Sequence, residues 1–176
     1  VLCSIRTMGA MILFTCNKIR NYNNKMKNII FDFDGTLADT SAGIYAAFVH
    51  ACDLDNLTKP SKKVFNKYIG PPMNKMLPII FPSLSEKIKE NFIRNFRILY
   101  DVYMYRKVTW YCGVKETLKT FYSNKSYKLN IITNKPTKCT NKILLISNLD
   151  YLFEMIIGID YLKDKNVGDN DFFGSK

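Results

Sequence analysis

Apolar residues recur along this chain in two rhythms. Asn28 to Phe33 is a compact run of Ile and Phe closed by aspartates, which predicts a strand buried on both faces, as in a parallel sheet. YKLNIIT (127–133) and LFEMIIGI (152–159) predict two more such strands. Between the first and second strands the period lengthens to that of helices. Thr40 or Ser41 is placed to cap a helix running through GIYAAFVHACDL. KPSKKVFNKYIG and PPMNKMLPIIFP follow as two short helical segments punctuated by proline. SLSEKIKENFIRNFRILYDVYMYRK then carries Ile88, Phe92, Phe96, Leu99 and Tyr103 at i, i+3/i+4 spacing, the core-facing stripe of a long amphipathic helix. GVKETLKTFYSN and PTKCTNKILLISN predict two further helices, the second with Pro136 in its first turn.

Strand, helix, strand, helix, strand at this spacing predicts a right-handed, Rossmann-like α/β core with a parallel sheet, and an all-helical lobe inserted after its first strand. The expected division gives residues 26–40 and 108–176 to the core and 41–107 to the helical cap. Residues 1–25 read as an extension outside the fold, upstream of Met26 in a chain that begins with Val. The apolar stretch Met8–Cys16 is too short to span a bilayer. Arg6 before it gives a faint signal-peptide look, without a clear small-residue cleavage site.

Charge narrows the picture less than its size suggests. A formal net charge of +11 over 176 residues brings nucleic acid and anionic membranes into consideration. The basic residues are scattered instead of gathered into a stripe, so the expectation is solvated cationic faces, with neither a nucleic-acid nor a membrane partner. The five cysteines show no CxxC or Cys/His spacing and read as reduced thiols of a cytoplasmic protein. His50 is the only histidine, which excludes a multi-histidine metal centre; within AAFVHACDL it is expected to pack a helix.

The candidate chemistry lies at strand ends, because open α/β sheets form their sites at the carboxyl edge. The first predicted strand ends in Asp32-Phe33-Asp34-Gly35-Thr36 and the second in Thr133-Asn134-Lys135-Pro136. Residues i and i+2 of a strand point the same way, so Asp32 and Asp34 can address one reacting centre. Carboxylates taken out of water need compensation. A divalent cation, with Mg2+ as the best match, would provide it while bridging to a phosphate held at the helix N-terminus that follows Thr133. One carboxylate can then attack phosphorus, and the other can protonate the leaving group and later activate water. Lys135 fits either a solvated turn or a neighbour of the phosphate site.

DFDGTLADT resembles the first motif of the haloacid dehalogenase superfamily, and ITNKP resembles its second. IGPPMNKML and WYCGVKETL look like the cap segment and core re-entry of the phosphoglycolate-phosphatase-like branch, so the resemblance covers roughly residues 27 to 160. It implies an Mg2+-dependent phosphomonoester hydrolase acting on a small phosphorylated metabolite. It also implies roles for individual residues. Asp32 would be the nucleophile that becomes an aspartyl-phosphate, Asp34 the general acid/base, and both would hold Mg2+, Asp34 through its backbone carbonyl. Thr133 and the Asn134 backbone would bind the transferring phosphoryl group.

The superfamily's third motif is a lysine, for which Lys163, Lys165 and Lys176 are candidates; Ser175-Lys176 most resembles the form in which it opens a helix. Its fourth is an acidic GDxxxD pair. Val167-Gly168-Asp169-Asn170-Asp171 imitates that pair, but Phe173 stands where the last aspartate belongs, so the stretch reads as a surface turn or as a displaced metal motif. The resemblance thus implies a core that stops short of its last strands. Two other functions stay open: a sugar phosphomutase sharing the aspartyl-phosphate, and an inactive, truncated chain that only binds.

Overall fold

The structure, a computed structural model, describes residues 26–161. In chain order the elements are β1 (Lys27–Phe31), β2 (Ala38–Asp39), α1 (Ser41–Leu54), α2 (Lys62–Phe65), α3 (Met73–Ile80), α4 (Glu86–Val102), β3 (Thr109–Trp110), α5 (Val114–Ser123), β4 (Tyr127–Ile132), α6 (Thr137–Ile146) and β5 (Phe153–Ile157), with 3₁₀ turns at Met104–Arg106 and Asp150–Leu152. They fall into two compact units divided after Leu37 and after Tyr111.

The sheet unit takes β1, β4, β5, α5 and α6. Its strands lie in the order β1-β4-β5, all parallel, with Phe31 level with Ile131 and Ile132 level with Ile157. Ile29, Phe31 and Phe33 are buried and alternate with the more open Asn28, Ile30 and Asp32. Leu129 and Ile131 continue that buried face, and Phe31 meets Phe153 edge to face at 6.4 Å between ring centroids. α5 packs on β4 and α6 on β5. The expectation of a strand buried on both faces is corrected for the described residues: β1 buries one. Its other face is polar enough to stay open, with the Asn130 side-chain amide donating to Asn28 Oδ1 at 3.3 Å.

The helical unit spans Ala38–Tyr111. α1 and α4 form its main pair, and Phe48, Phe65, Phe92, Phe96 and Tyr100 fill the space between helices. Ala38 and Asp39 pair antiparallel with Trp110 and Thr109 where the chain enters and leaves it, flanking the expected helical lobe 41–107, whose elements are helical. Three readings change within it. On α4 the buried stripe is Phe92, Phe96 and Tyr100, whereas Ile88 and Tyr103 are exposed. Strict i, i+4 spacing keeps those three residues on one side of the helix. At the start of α1, Thr40 makes no side-chain cap; instead Asp39 Oδ1 accepts the Ser41 N–H at 2.8 Å. His50 is exposed, so it packs no core.

Candidate active site

Three strand ends of the sheet unit build the site. β1 stops at Phe31, one residue before the first aspartate. Phe33, with no exposed surface, is the buried anchor between Asp32 and Asp34, both of which are half-buried. Its carbonyl accepts the N–H groups of Thr36 at 3.3 Å and Leu37 at 3.0 Å. This tight turn needs the left-handed backbone that Gly35 supplies at φ 79°. With Phe33 pinned inward, the alternation of an extended chain leaves the two aspartates on the same side.

The end of β4 is fixed just as closely. The Thr133 N–H donates to the Ile157 carbonyl of β5 at 3.0 Å, and the Thr133 Oγ1 accepts the Lys135 N–H at 3.3 Å. Thr133 and Lys135 are buried, at 8% and 5% exposure, while Asn134 between them is exposed. Lys135 Nζ lies 3.1 Å from Asp34 Oδ2. Burial removes the solvated-turn alternative for Lys135. It also changes the account of charge compensation: Asp34 is paired with an ammonium, where the sequence pointed to a metal ion alone. An ion pair this desolvated persists only with close geometry, because each partner alone would be costly.

The third strand end was missed in the sequence. Asp160 Oδ1 accepts the Thr137 N–H at 2.6 Å, and the Thr137 Oγ1 accepts the Gly158 N–H at 2.9 Å. The first N–H of α6, expected to await an anion, therefore already has a carboxylate. Pro136, the residue preceding the helix, has no N–H to offer. Gly158 sits against this turn so closely that a Cβ would overlap Thr137 N and Lys135 O and come within 2.7 Å of Pro136 C. A carboxylate shortly after a strand, as in GID (158–160), is the signal that would have found Asp160. It is the same kind of signal that identified Asp32 and Asp34.

The structure thus brings Asp32, Asp34, Thr133 and Lys135 to one edge of the sheet. Lys163, Lys165, Lys176 and the VGDND stretch lie outside the described residues. Among the described residues, no group of three or more His, Cys, Asp or Glu side chains is placed to hold a metal ion. The Asp32 carboxylate and the Asp34 backbone carbonyl still match the oxygen donors that Mg2+ commonly takes, with water and phosphate oxygens completing its shell. No helix among the described residues is long and apolar enough to cross a membrane.

The chain is similar to several known proteins. A phosphoglycolate phosphatase from Aquifex aeolicus is 32% identical over 142 residues, covering 80% of this chain and 64% of the relative. A pyrophosphatase, PpaX, from Halalkalibacterium halodurans is 29% identical over 136 residues, covering 77% and 61% respectively. The chain therefore spans less than two thirds of the length of these curated relatives. A haloacid dehalogenase-like family hydrolase from Streptococcus pneumoniae shares the fold with a TM-score of 0.68 and 25% identity, over 76% of this chain and 61% of that one. The family described as haloacid dehalogenase-like hydrolase matches residues 29–166, from β1 through all three strand ends, and the chain belongs to it.

Proposed function

We propose that the chain carries the catalytic edge of an Mg2+-dependent phosphomonoester hydrolase. The observation that carries this reading is the convergence of Asp32 and Asp34 with Thr133 and Lys135 at the carboxyl ends of two adjacent parallel strands, with Lys135 Nζ 3.1 Å from Asp34 Oδ2. Asp32 attacks the phosphorus of the substrate; the bond from phosphorus to the ester oxygen breaks, and Asp34 gives that oxygen a proton. Asp34 then takes a proton from water, whose oxygen attacks the aspartyl-phosphate. Phosphate leaves and the Asp32 carboxylate is restored. Thr133 Oγ1 donates to the phosphoryl oxygens, and the exposed Asn134 turn presents its backbone to the same group. Of the three candidate lysines, Lys176 is the one assigned to phosphate binding. Mg2+, held by the Asp32 carboxylate and the Asp34 backbone carbonyl, would neutralise charge on the phosphoryl group.

A small phosphorylated metabolite such as phosphoglycolate is the proposed substrate, in line with the Aquifex relative's name. The PpaX name supports inorganic pyrophosphate as a second candidate. We place the protein in the cytoplasm, in keeping with the free thiols of Cys52, Cys112 and Cys139. A panel of p-nitrophenyl phosphate, phosphoglycolate and pyrophosphate, each with and without Mg2+, tests the reading. Phosphate release that needs Mg2+ and falls at least about 10⁴-fold in Asp32→Asn supports it. Return of phosphate to a sugar without net release would indicate a mutase. Absence of both activities would leave the binding-only chain.

A further inference from the structure

The side chain least expected at this edge is Lys135. Its N–H donates to Thr133 Oγ1 at 3.3 Å, and Gly158 approaches its carbonyl so closely that a Cβ there would overlap it. Its side chain is 3% exposed and ends 3.1 Å from Asp34 Oδ2, whose own side chain is 23% exposed. Thus the turn after β4 supplies the lysine and the turn after β1 its carboxylate partner, while Gly158, just past β5, packs closely against the lysine's backbone. An exposed lysine would spread its charge over many rotamers, whereas this ammonium is confined to one place. The other cationic feature of the edge, the start of α6, has its first N–H taken by Asp160.

We infer that Lys135 is a positioning residue, which fixes the Asp34 carboxylate through Oδ2 so that Asp34 meets the leaving-group oxygen and the attacking water in one orientation. The inference rests on the hydrolase reading above. General acid/base catalysis depends on hydrogen-bond reach before anything else, and an error of about 1 Å in placement can cost on the order of 10²-fold in rate. Removing Lys135 should therefore lower kcat and leave substrate binding nearly intact.

The test compares wild type, Lys135→Met, Asp34→Asn and the double variant, with p-nitrophenyl phosphate as substrate and orthophosphate as inhibitor. The expected result is a fall of about 10²-fold in kcat for Lys135→Met. KM and orthophosphate inhibition should each stay within about 3-fold. In the Asp34→Asn background the same substitution should change kcat by less than about 2-fold, because residues that act as a unit are not additive. Undiminished loss in that background, or a loss confined to KM and orthophosphate inhibition, would overturn the inference.

Lys135→Arg covers the case in which the methionine variant does not fold. It keeps the charge but places a planar fork where a point charge stood, so a folded variant with lowered kcat supports positioning and one with wild-type kcat overturns it. If wild type hydrolyses nothing, the hydrolase reading fails by itself. The pairing is then decided by urea unfolding of the same four proteins: non-additive midpoints keep Lys135 and Asp34 as a unit, and additive midpoints dissolve it.

Discussion

The two units of this chain solve the problem of a stable interior in different ways. In the helical unit the interior is aromatic: the Phe48 ring lies 4.5 Å from Phe65, 5.0 Å from Phe92 and 6.1 Å from Phe81, and Phe96 stacks with Tyr100 at 5.9 Å. Thr40 is its single buried polar residue among those described. The sheet unit buries Thr133, Lys135 and Thr140, two of them at the edge where the aspartates sit. Ring packing asks for shape and little else. Buried hydroxyls and ammonium groups need partners at fixed distances, so the sheet unit accepts a costlier interior where chemistry is expected. Polar burial concentrated at one edge therefore singles out the candidate site, and the aromatic unit shows what the same chain does where no such demand exists.

Truncating the aromatic cluster gives the largest expected effect. Phe48→Ala removes a side chain with no exposed surface that touches three other rings. It should cost about 3–5 kcal/mol, as for other buried Phe truncations. Trp110, the only tryptophan in the chain, lies in β3 of the helical unit and reports on it directly. A urea titration followed by its fluorescence should show the lowered midpoint. A loss below about 1 kcal/mol would mean that the unit is not held by this cluster, and the contrast between the two interiors would collapse.

Gly158→Ala tests the polar side of the comparison and should have a smaller effect on stability. The added Cβ meets backbone atoms of Lys135, Pro136 and Thr137, which cannot rotate away as a side-chain tip can. Forcing that much extra volume into a packed place typically costs about 1–3 kcal/mol. The consequence specific to this site is displacement of Lys135, so hydrolysis should fall by more than the loss of folded protein explains. Circular dichroism melts and activity measured on the same sample separate the two. Wild-type activity in a destabilised Gly158→Ala would show that the turn shifts without carrying Lys135 along.

Much of this was legible because it rests on periodicity. The three parallel strands and the long α4 follow from local runs of apolar residues, and the paired aspartates announce themselves by position after such a run. The misreadings share a different cause. Tyr100 replaces Tyr103 on the buried stripe because the helix's partner, absent from any local window, decides which side faces inward. Lys135 could not be placed from the sequence, since a lysine in a turn looks the same whether or not a carboxylate from a distant strand reaches it. The cap on α6 comes from Asp160, twenty-three residues along the chain from Thr137. Contacts between strand ends are set by sheet order, which local pattern constrains only loosely.

The smallest effect expected is a pH dependence confined to the aromatic unit. Cys52 on α1 has no exposed surface. Burial first, and the Asp53 carboxylate next, push its thiol from the ordinary 9.0 up to about 11; Lys59 opposes the shift and Asp55 adds to it. The sign follows from proton binding. Well below pH 9 the thiol is protonated in both states, so Cys52 introduces no pH dependence there. Between pH 9 and about 11 the unfolded chain releases the proton while the folded chain keeps it, so stability falls as pH rises. Urea midpoints read through Trp110 should therefore drop from pH 8.5 to pH 10.5 (roughly the span of the shift) by more in wild type than in Cys52→Ala. Equal drops would show that the thiol ionises as freely in the fold as outside it, which would be hard to reconcile with so dry an aromatic interior.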